Sequence, residues 1–160
     1  MTNNDILIRL RYALDIKDSE MVEIFRLGDV DVSIEGIKEI LTKPNEEDDE
    51  FLVKVNNRML ESFLNGFIIY KRGKQEPRAG QLEKPVFSDE SHNNILLKKM
   101  KIALSLTSED MLEILSKAGV NVTKGEMSAL LRKKGHKNYK ECGDRYARNF
   151  LKGLAIKYRG

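Results

Sequence analysis

The residues best equipped for chemistry in this chain lie together in RKKGHKNYKECGDRY, Arg132 to Tyr146. The stretch holds the sole cysteine, Cys142, one of two histidines, His136, and the carboxylates Glu141 and Asp144. A thiol near an imidazole could form a nucleophile and base. That chemistry needs a thiolate, a base within hydrogen-bond reach and a third group to orient the base. Zinc needs three or four Cys, His or carboxylate ligands at recognisable spacing. Here His136 and Cys142 stand with no close third partner, since His92 is remote in sequence. Carboxylates near a helix start more often serve as caps. The basic residues make a better case. Arg132, Lys133, Lys134, His136, Lys137 and Lys140 form a run, and Lys124 lies just before it. Such a cluster could contact an acidic protein surface or a nucleic-acid backbone. Cations at the end of a helix also suit its negative pole without any partner.

The elements that position this stretch come from a sequence used twice. NNDILIRLRYAL at 3–14 returns as NNILLKKMKIAL at 93–104, and MVEIF and DVDVS return as MLEIL and GVNVT. At an offset of 90, Asn3, Asn4, Leu7, Ala13, Leu14, Met21, Glu23, Ile24, Val30, Val32, Leu41 and Lys43 meet themselves again. After a three-residue deletion the offset is 87, and SFLNGFIIYKRG at 62–73 meets NFLKGLAIKYRG at 149–160. Ordered identities of this kind indicate a tandem duplication. The division is a first repeat at 1–73, a linker at 74–91 marked by prolines and polar residues, and a second repeat at 92–160.

Each repeat has four stretches of helical periodicity. Helix one is expected after an Asn cap at Asn4 or Asn94. Helix two is expected after Asp18 or Ser108, with early acids suited to a helix start. Helix three is expected at Ser33 or Thr123, where TKGE reads as a capping box. Helix four carries Leu60, Phe63, Leu64, Phe67 and Ile68, matched by Ala147, Phe150, Leu151, Leu154 and Ala155. The second copy of helix four is expected from Tyr139, with Asn138 as cap and Glu141 three residues on; a start at Asp144 is the alternative. Gly73 and Gly160 occupy αL cap positions. Gly66 and Gly153 recur inside helix four. Interior glycine costs about 1 kcal/mol against alanine, so the repeat points to close helix approach. The expected fold is therefore all-α, with two similar four-helix units related by approximate two-fold symmetry. Each unit alone would bury a small core, and packing the units together would add burial.

The repeat also tests the chemistry. At offset 87, Cys142 falls on Val55, Tyr139 on Leu52 and Tyr146 on Met59. The cysteine thus reads as a small buried hydrophobe. Where the second copy has RKKGHK, the first has KPNEEDDE, with Glu46, Glu47, Asp48, Asp49 and Glu50. Matched loops of opposite charge suggest mutual attraction, within one molecule or between two. The halves differ likewise: residues 1–80 hold 12 Lys and Arg against 16 Asp and Glu, a net of −4, whereas 81–160 hold 16 against 9, a net of +7. The segment 108–137 has the outline of a helix-turn-helix, although its AGVNV connection is longer than the usual turn. There is no phosphate loop, GxGxxG, GxSxG, HExxH or EF-hand pattern. No catalytic, cofactor or metal site is expected. No apolar run reaches membrane-spanning length, and the lone thiol and absence of a signal-like leader point to the cytoplasm.

NNDIL…RYAL, SFLNGFIIYKRGK, NNILLKKMKIAL and HKNYKECGD…FLKGL resemble the YehS-like bacterial proteins, over nearly the whole chain outside the linker. The resemblance implies two copies of one helical domain in a small cytoplasmic protein, and carries no assigned activity, cofactor or catalytic residue. The function expected on these grounds is a non-catalytic module working through protein–protein contacts, including self-association, with nucleic-acid binding by the second repeat as the alternative.

Overall fold

The computed structural model describes residues 1–44, 50–73 and 87–159. Among them the chain forms eight helices and no strand: α1 (Asn3–Leu14), α2 (Asp18–Leu27), α3 (Ile34–Leu41), α4 (Asn57–Arg72), α5 (His92–Ala103), α6 (Ser108–Lys117), α7 (Lys124–Leu131) and α8 (Asp144–Arg159). The two repeats are four helices each.

Their packing is reciprocal. Helix four of each repeat lies on helix two of its own repeat and on helix one of the other, so α4 packs on α2 and α5, and α8 on α6 and α1. An exchange in which each unit presents the same pair of surfaces to the other is the signature of a two-fold relation. The paired helices run parallel. At one end of α1 and α8 the Met1 ammonium donates to Asp144 Oδ2 at 2.8 Å. At the other, Arg159 Nη1 donates to Tyr12 O at 2.9 Å. Its counterpart Arg72 donates to Ile102 O at 3.3 Å across α4 and α5. The repeated Arg-Gly thus ties each helix four to the last turn of the opposite helix one, at a carbonyl that also accepts a turn hydrogen bond, from the Asp15 N–H to Tyr12 O and from the Ser105 N–H to Ile102 O. A parallel neighbour in sequence needs a return path. The 16 residues of α4 rise about 24 Å at 1.5 Å per residue, and a connection as long as 74–91 can cover that distance.

One core runs through both repeats. Ile6, Leu7, Leu10, Met21, Ile24, Phe25, Leu60, Phe63, Leu64 and Phe67 are buried together with Leu96, Leu97, Met100, Met111, Ile114, Leu115, Ala147, Phe150, Leu151 and Leu154. The helical stripes read from the sequence are the buried faces; only Leu14, Leu41, Ile68, Leu131 and Ala155 among them are half-buried. Gly66 and Gly153 explain their repetition. A Cβ on Gly66 would stand 1.9 Å from Ile24 O, and one on Gly153 2.0 Å from Ile114 O. Helix four therefore touches the backbone of helix two, and alanine at either position would force the helices apart.

Several local expectations are corrected. Helix one is capped by Thr2, whose hydroxyl accepts from the Asp5 N–H at 3.1 Å, and by Ser91, which accepts from the Asn94 N–H at 3.3 Å. Asn4 and Asn94 lie inside the helices and are buried. Helix two begins one residue earlier than read, with Lys17 and Thr107 as caps. Ser33 and Thr123 do cap helix three, and the hydroxyl half of the TKGE box forms, Glu126 N–H to Thr123 at 3.1 Å. Gly73 has the positive φ expected (81°), but its ψ of 162° lies outside the αL region. Gly160 and most of the linker fall outside the described residues.

Candidate interaction site

The second helix four begins at Asp144, not at Tyr139. The physical reason is that the backbone before it has other partners. The Lys140 N–H donates to Ala129 O at 3.0 Å, and Asn94 takes the rest. Its Nδ2 donates to Leu130 O and to Lys140 O, both at 3.0 Å, while its Oδ1 accepts from the Cys142 N–H at 2.8 Å. Next to it, Asn93 Nδ2 donates to Cys142 O at 3.1 Å and to Asp144 Oδ1 at 2.9 Å. Residues 140–142 are thus held open against α5 instead of coiling into α8.

The first repeat uses the same clamp. Asn4 Nδ2 donates to Ile40 O at 3.0 Å and Val53 O at 2.8 Å, and its Oδ1 accepts from the Val55 N–H at 2.9 Å. Asn3 donates to Val55 O at 3.1 Å and to Asn57 Oδ1 at 2.8 Å. Each Asn-Asn pair therefore fixes the loop between helices three and four to helix one. Asn4 and Asn94 were misread from the sequence as caps, and Asn3 and Asn93 were given no role. The available signal was their identity in both copies, since a polar pair repeated inside an apolar stripe needs buried partners.

The first clamp touches the start of α5, next to the second. His92 Nδ1 lies 2.5 Å from Asn3 Oδ1. Both Asn3 Nδ2 bonds go to acceptors, which fixes the amide orientation and makes His92 Nδ1 the donor. Burial pushes the His92 imidazole below its ordinary range, with Asp144 acting against it. Asp144 is held down to about 2, first by the hydrogen bond from the Met1 ammonium and then by that from Asn93. Asn93 Oδ1 is buried with no hydrogen-bond partner.

Cys142 occupies the site of Val55, and both are buried. Burial and the nearby Asp144 carboxylate push its thiol up to about 12. It is a thiol, not a thiolate, at neutral pH. Of the two tyrosines, Tyr146 packs half-buried against the core. Tyr139 is half-buried under the Lys98 ammonium, 5.7 Å from the ring centre, although its equivalent Leu52 is exposed. Among the described residues, no group of three or more His, Cys, Asp or Glu could hold a metal ion.

The basic residues separate into engaged and free. Lys124 reaches Glu109 at 3.6 Å. Arg132 caps the end of α7 and lies 3.3 Å from His136 Nε2, and its Nε is buried without a partner. His136 Nδ1 accepts from the Asn138 N–H at 3.0 Å. Lys140 covers the Tyr146 ring at 5.6 Å. Lys134 donates from its ammonium to Asp89 O at 3.2 Å and approaches the Asp89 carboxylate at 3.5 Å, while its N–H donates to Glu90 Oε1 at 3.1 Å. Burial alone would raise the Glu90 carboxyl, but the hydrogen bonds from Lys98 and Ser88 outweigh it and leave it below its usual range. Lys133 and Lys137 are exposed and have no side-chain partner among the described residues.

The acid that meets the basic loop inside the molecule is thus Asp89-Glu90, just before α5, which sequence reading passed over as linker. Of the expected counter-patch, Glu46, Glu47, Asp48 and Asp49 lie outside the described residues. Glu50 pairs with Lys54 at 2.8 Å. The helix-turn-helix outline is weakened further: six residues, 118–123, separate α6 from α7, Val120 is buried, and α7 itself carries one cation, Lys124.

A duplicated, reciprocally packed four-helix unit with an Asn-Asn clamp defines the class of protein. The chain belongs to a family of proteins of unknown function (DUF1456), whose model matches twice, at residues 3–73 and 93–160. It is 41% identical over 159 residues to the uncharacterized protein YehS of Escherichia coli (strain K12), covering 98% of this chain and 96% of that protein. No solved structure matches it significantly. No helix among the described residues is long and apolar enough to cross a membrane.

Proposed function

We propose that the protein is a non-catalytic cytoplasmic binding module that acts through protein–protein contacts made by the basic loop 132–140. The observation that carries this reading is the division of labour in the loop. Asn94 fixes its backbone from below, while Lys133 and Lys137 stand exposed with no ion pair among the described residues. A pre-ordered loop loses little entropy on binding, and free surface cations favour an acidic partner through complementarity and encounter rate. A second copy qualifies, through its acidic segment Glu46–Glu50. Nucleic acid is the alternative reading, favoured by the same cations and opposed by the net −4 of residues 1–80 and by the single cation of α7.

The test is affinity capture from the native host, with and without nuclease, using wild type and the Lys133→Glu, Lys137→Glu double variant, alongside sedimentation across a salt series. The reading expects a nuclease-resistant partner, or a concentration-dependent mass, that the double variant loses and added salt weakens. Capture abolished by nuclease would move the assignment to nucleic acid. Equal behaviour of wild type and variant would remove the loop from the function.

A further inference from the structure

The two seams between helix one and the opposite helix four are equivalent by symmetry but differ in what covers them. On the α4/α5 seam the chain's own residues 87–90 are seated. The Ser88 N–H donates to both Glu61 carboxylate oxygens, at 2.9 and 3.2 Å. The Phe87 ring lies against the Arg58 guanidinium at 4.7 Å. Glu61 is only 2% exposed beneath this segment. Burial lowers the Lys99 ammonium, and Glu61 acts against that effect.

The α1/α8 seam has no such cover among the described residues, and its lining is changed in one direction. Glu61 becomes Arg148 and Asn65 becomes Lys152, while the cations Arg58 and Lys99 are kept as Arg145 and Arg9. Arg145, Arg148 and Lys152 fall at i, i+3 and i+7, on one face of α8. All four cations are exposed, and no side-chain hydrogen bond or ion pair engages them among the described residues. A seam that accommodates polypeptide on one side of the molecule is therefore repeated on the other with acceptors replaced by donors.

We propose that the α1/α8 seam is a docking site for a short acidic peptide segment of a partner protein, seated as residues 87–90 are seated on the α4/α5 seam. Its carboxylates meet Arg148, Arg145, Lys152 and Arg9, with the two α8 guanidiniums able to bind carboxylates bidentately. A polypeptide is favoured over nucleic acid because the equivalent seam already holds one, by backbone N–H and aromatic contacts. The site is separate from Lys133 and Lys137 and stands without them.

The test uses the full chain and a fluorescent eight-residue peptide, Phe-Ser followed by six Asp and Glu. Its controls are the Asn/Gln version of that peptide and a single-stranded oligonucleotide of equal charge. The expected result is binding that weakens with salt, is absent for the amide peptide, and falls at least tenfold in the Arg148→Glu, Lys152→Glu variant at unchanged thermal midpoint. The Lys133→Glu, Lys137→Glu variant should bind the peptide like wild type. The proposal is overturned if the seam variant binds the acidic peptide as wild type does, if no acidic-peptide binding is seen, or if the oligonucleotide binds tenfold more tightly than the peptide. Should the variant unfold, the milder Arg148→Gln, Lys152→Gln pair gives the same reading.

Discussion

Replacing Asn94 by alanine should unfasten the loop between α7 and α8. The side chain is fully buried and makes four hydrogen bonds, three of them to backbone at Leu130 O, Lys140 O and the Cys142 N–H, and one from the Ser91 hydroxyl. Truncation leaves three backbone groups without their partner. Each buried unsatisfied group costs about 1–3 kcal/mol, and a water entering the space can recover part of this. A loss of about 3–5 kcal/mol is expected, a large share of the roughly 5–15 kcal/mol that holds a domain folded. At about 2–4 °C per kcal/mol for a chain of this size, the melting midpoint should fall by on the order of 10 °C. Asn94→Asp keeps the acceptor for Cys142 but sets a carboxylate against two carbonyl oxygens, so it should be no milder than alanine. Asn149→Ala is the control, because that amide makes only an exposed bond to Arg145 O and should change stability by about 0.5 kcal/mol or less. Urea titrations of the three variants give the comparison. A cost below about 1 kcal/mol for Asn94→Ala would refute the clamp as the device that orders the basic loop.

Three further outcomes are expected from the same structure. Gly66→Ala and Gly153→Ala should each destabilise by about 1–3 kcal/mol through overpacking, outweighing the gain of about 1 kcal/mol in helix propensity; a stabilised variant in thermal melts would show that the helices separate freely there. Cys142→Val should cost less than about 1.5 kcal/mol, since the first repeat places Val55 in the same backbone cradle. The native thiol should resist a thiol reagent at pH 8 and react on denaturation. Because its folded pKa of about 12 exceeds the ordinary thiol value near 8.5, its contribution to stability is complete below about pH 8 and is lost as pH rises toward 12. Rapid labelling of the folded protein at pH 8 would contradict that.

Much of this molecule was legible as pattern. The apolar stripes of all eight helices, the duplication, the meaning of Gly66 and Gly153 and the burial of Cys142 follow from 3.6-residue periodicity and from comparing each position with its copy. Periodicity reports which face is apolar, and a repeat reports which substitutions a shared environment tolerates. Neither reports where a polar side chain finds its partner. Asn4 and Asn94 have the chemistry of caps, and only the approach of the 53–55 and 140–142 backbones makes them clamps. For the same reason the second helix four starts at Asp144: Asn138 and Glu141 satisfy the local rule for a cap, but the backbone of Lys140 and Cys142 is bound elsewhere.

The sequence by itself determined an all-helical, duplicated chain with a basic loop in its second half. Tertiary structure decided how the copies meet, each helix four lying on the other copy's helix one. It also decided that Asp89 and Glu90 answer the basic loop within the molecule, and that, among the described residues, one of two equivalent seams is covered by 87–90 while the other presents four cations without a partner. These outcomes depend on contacts between residues tens of positions apart, and such contacts are set by the packing of whole helices rather than by any local preference.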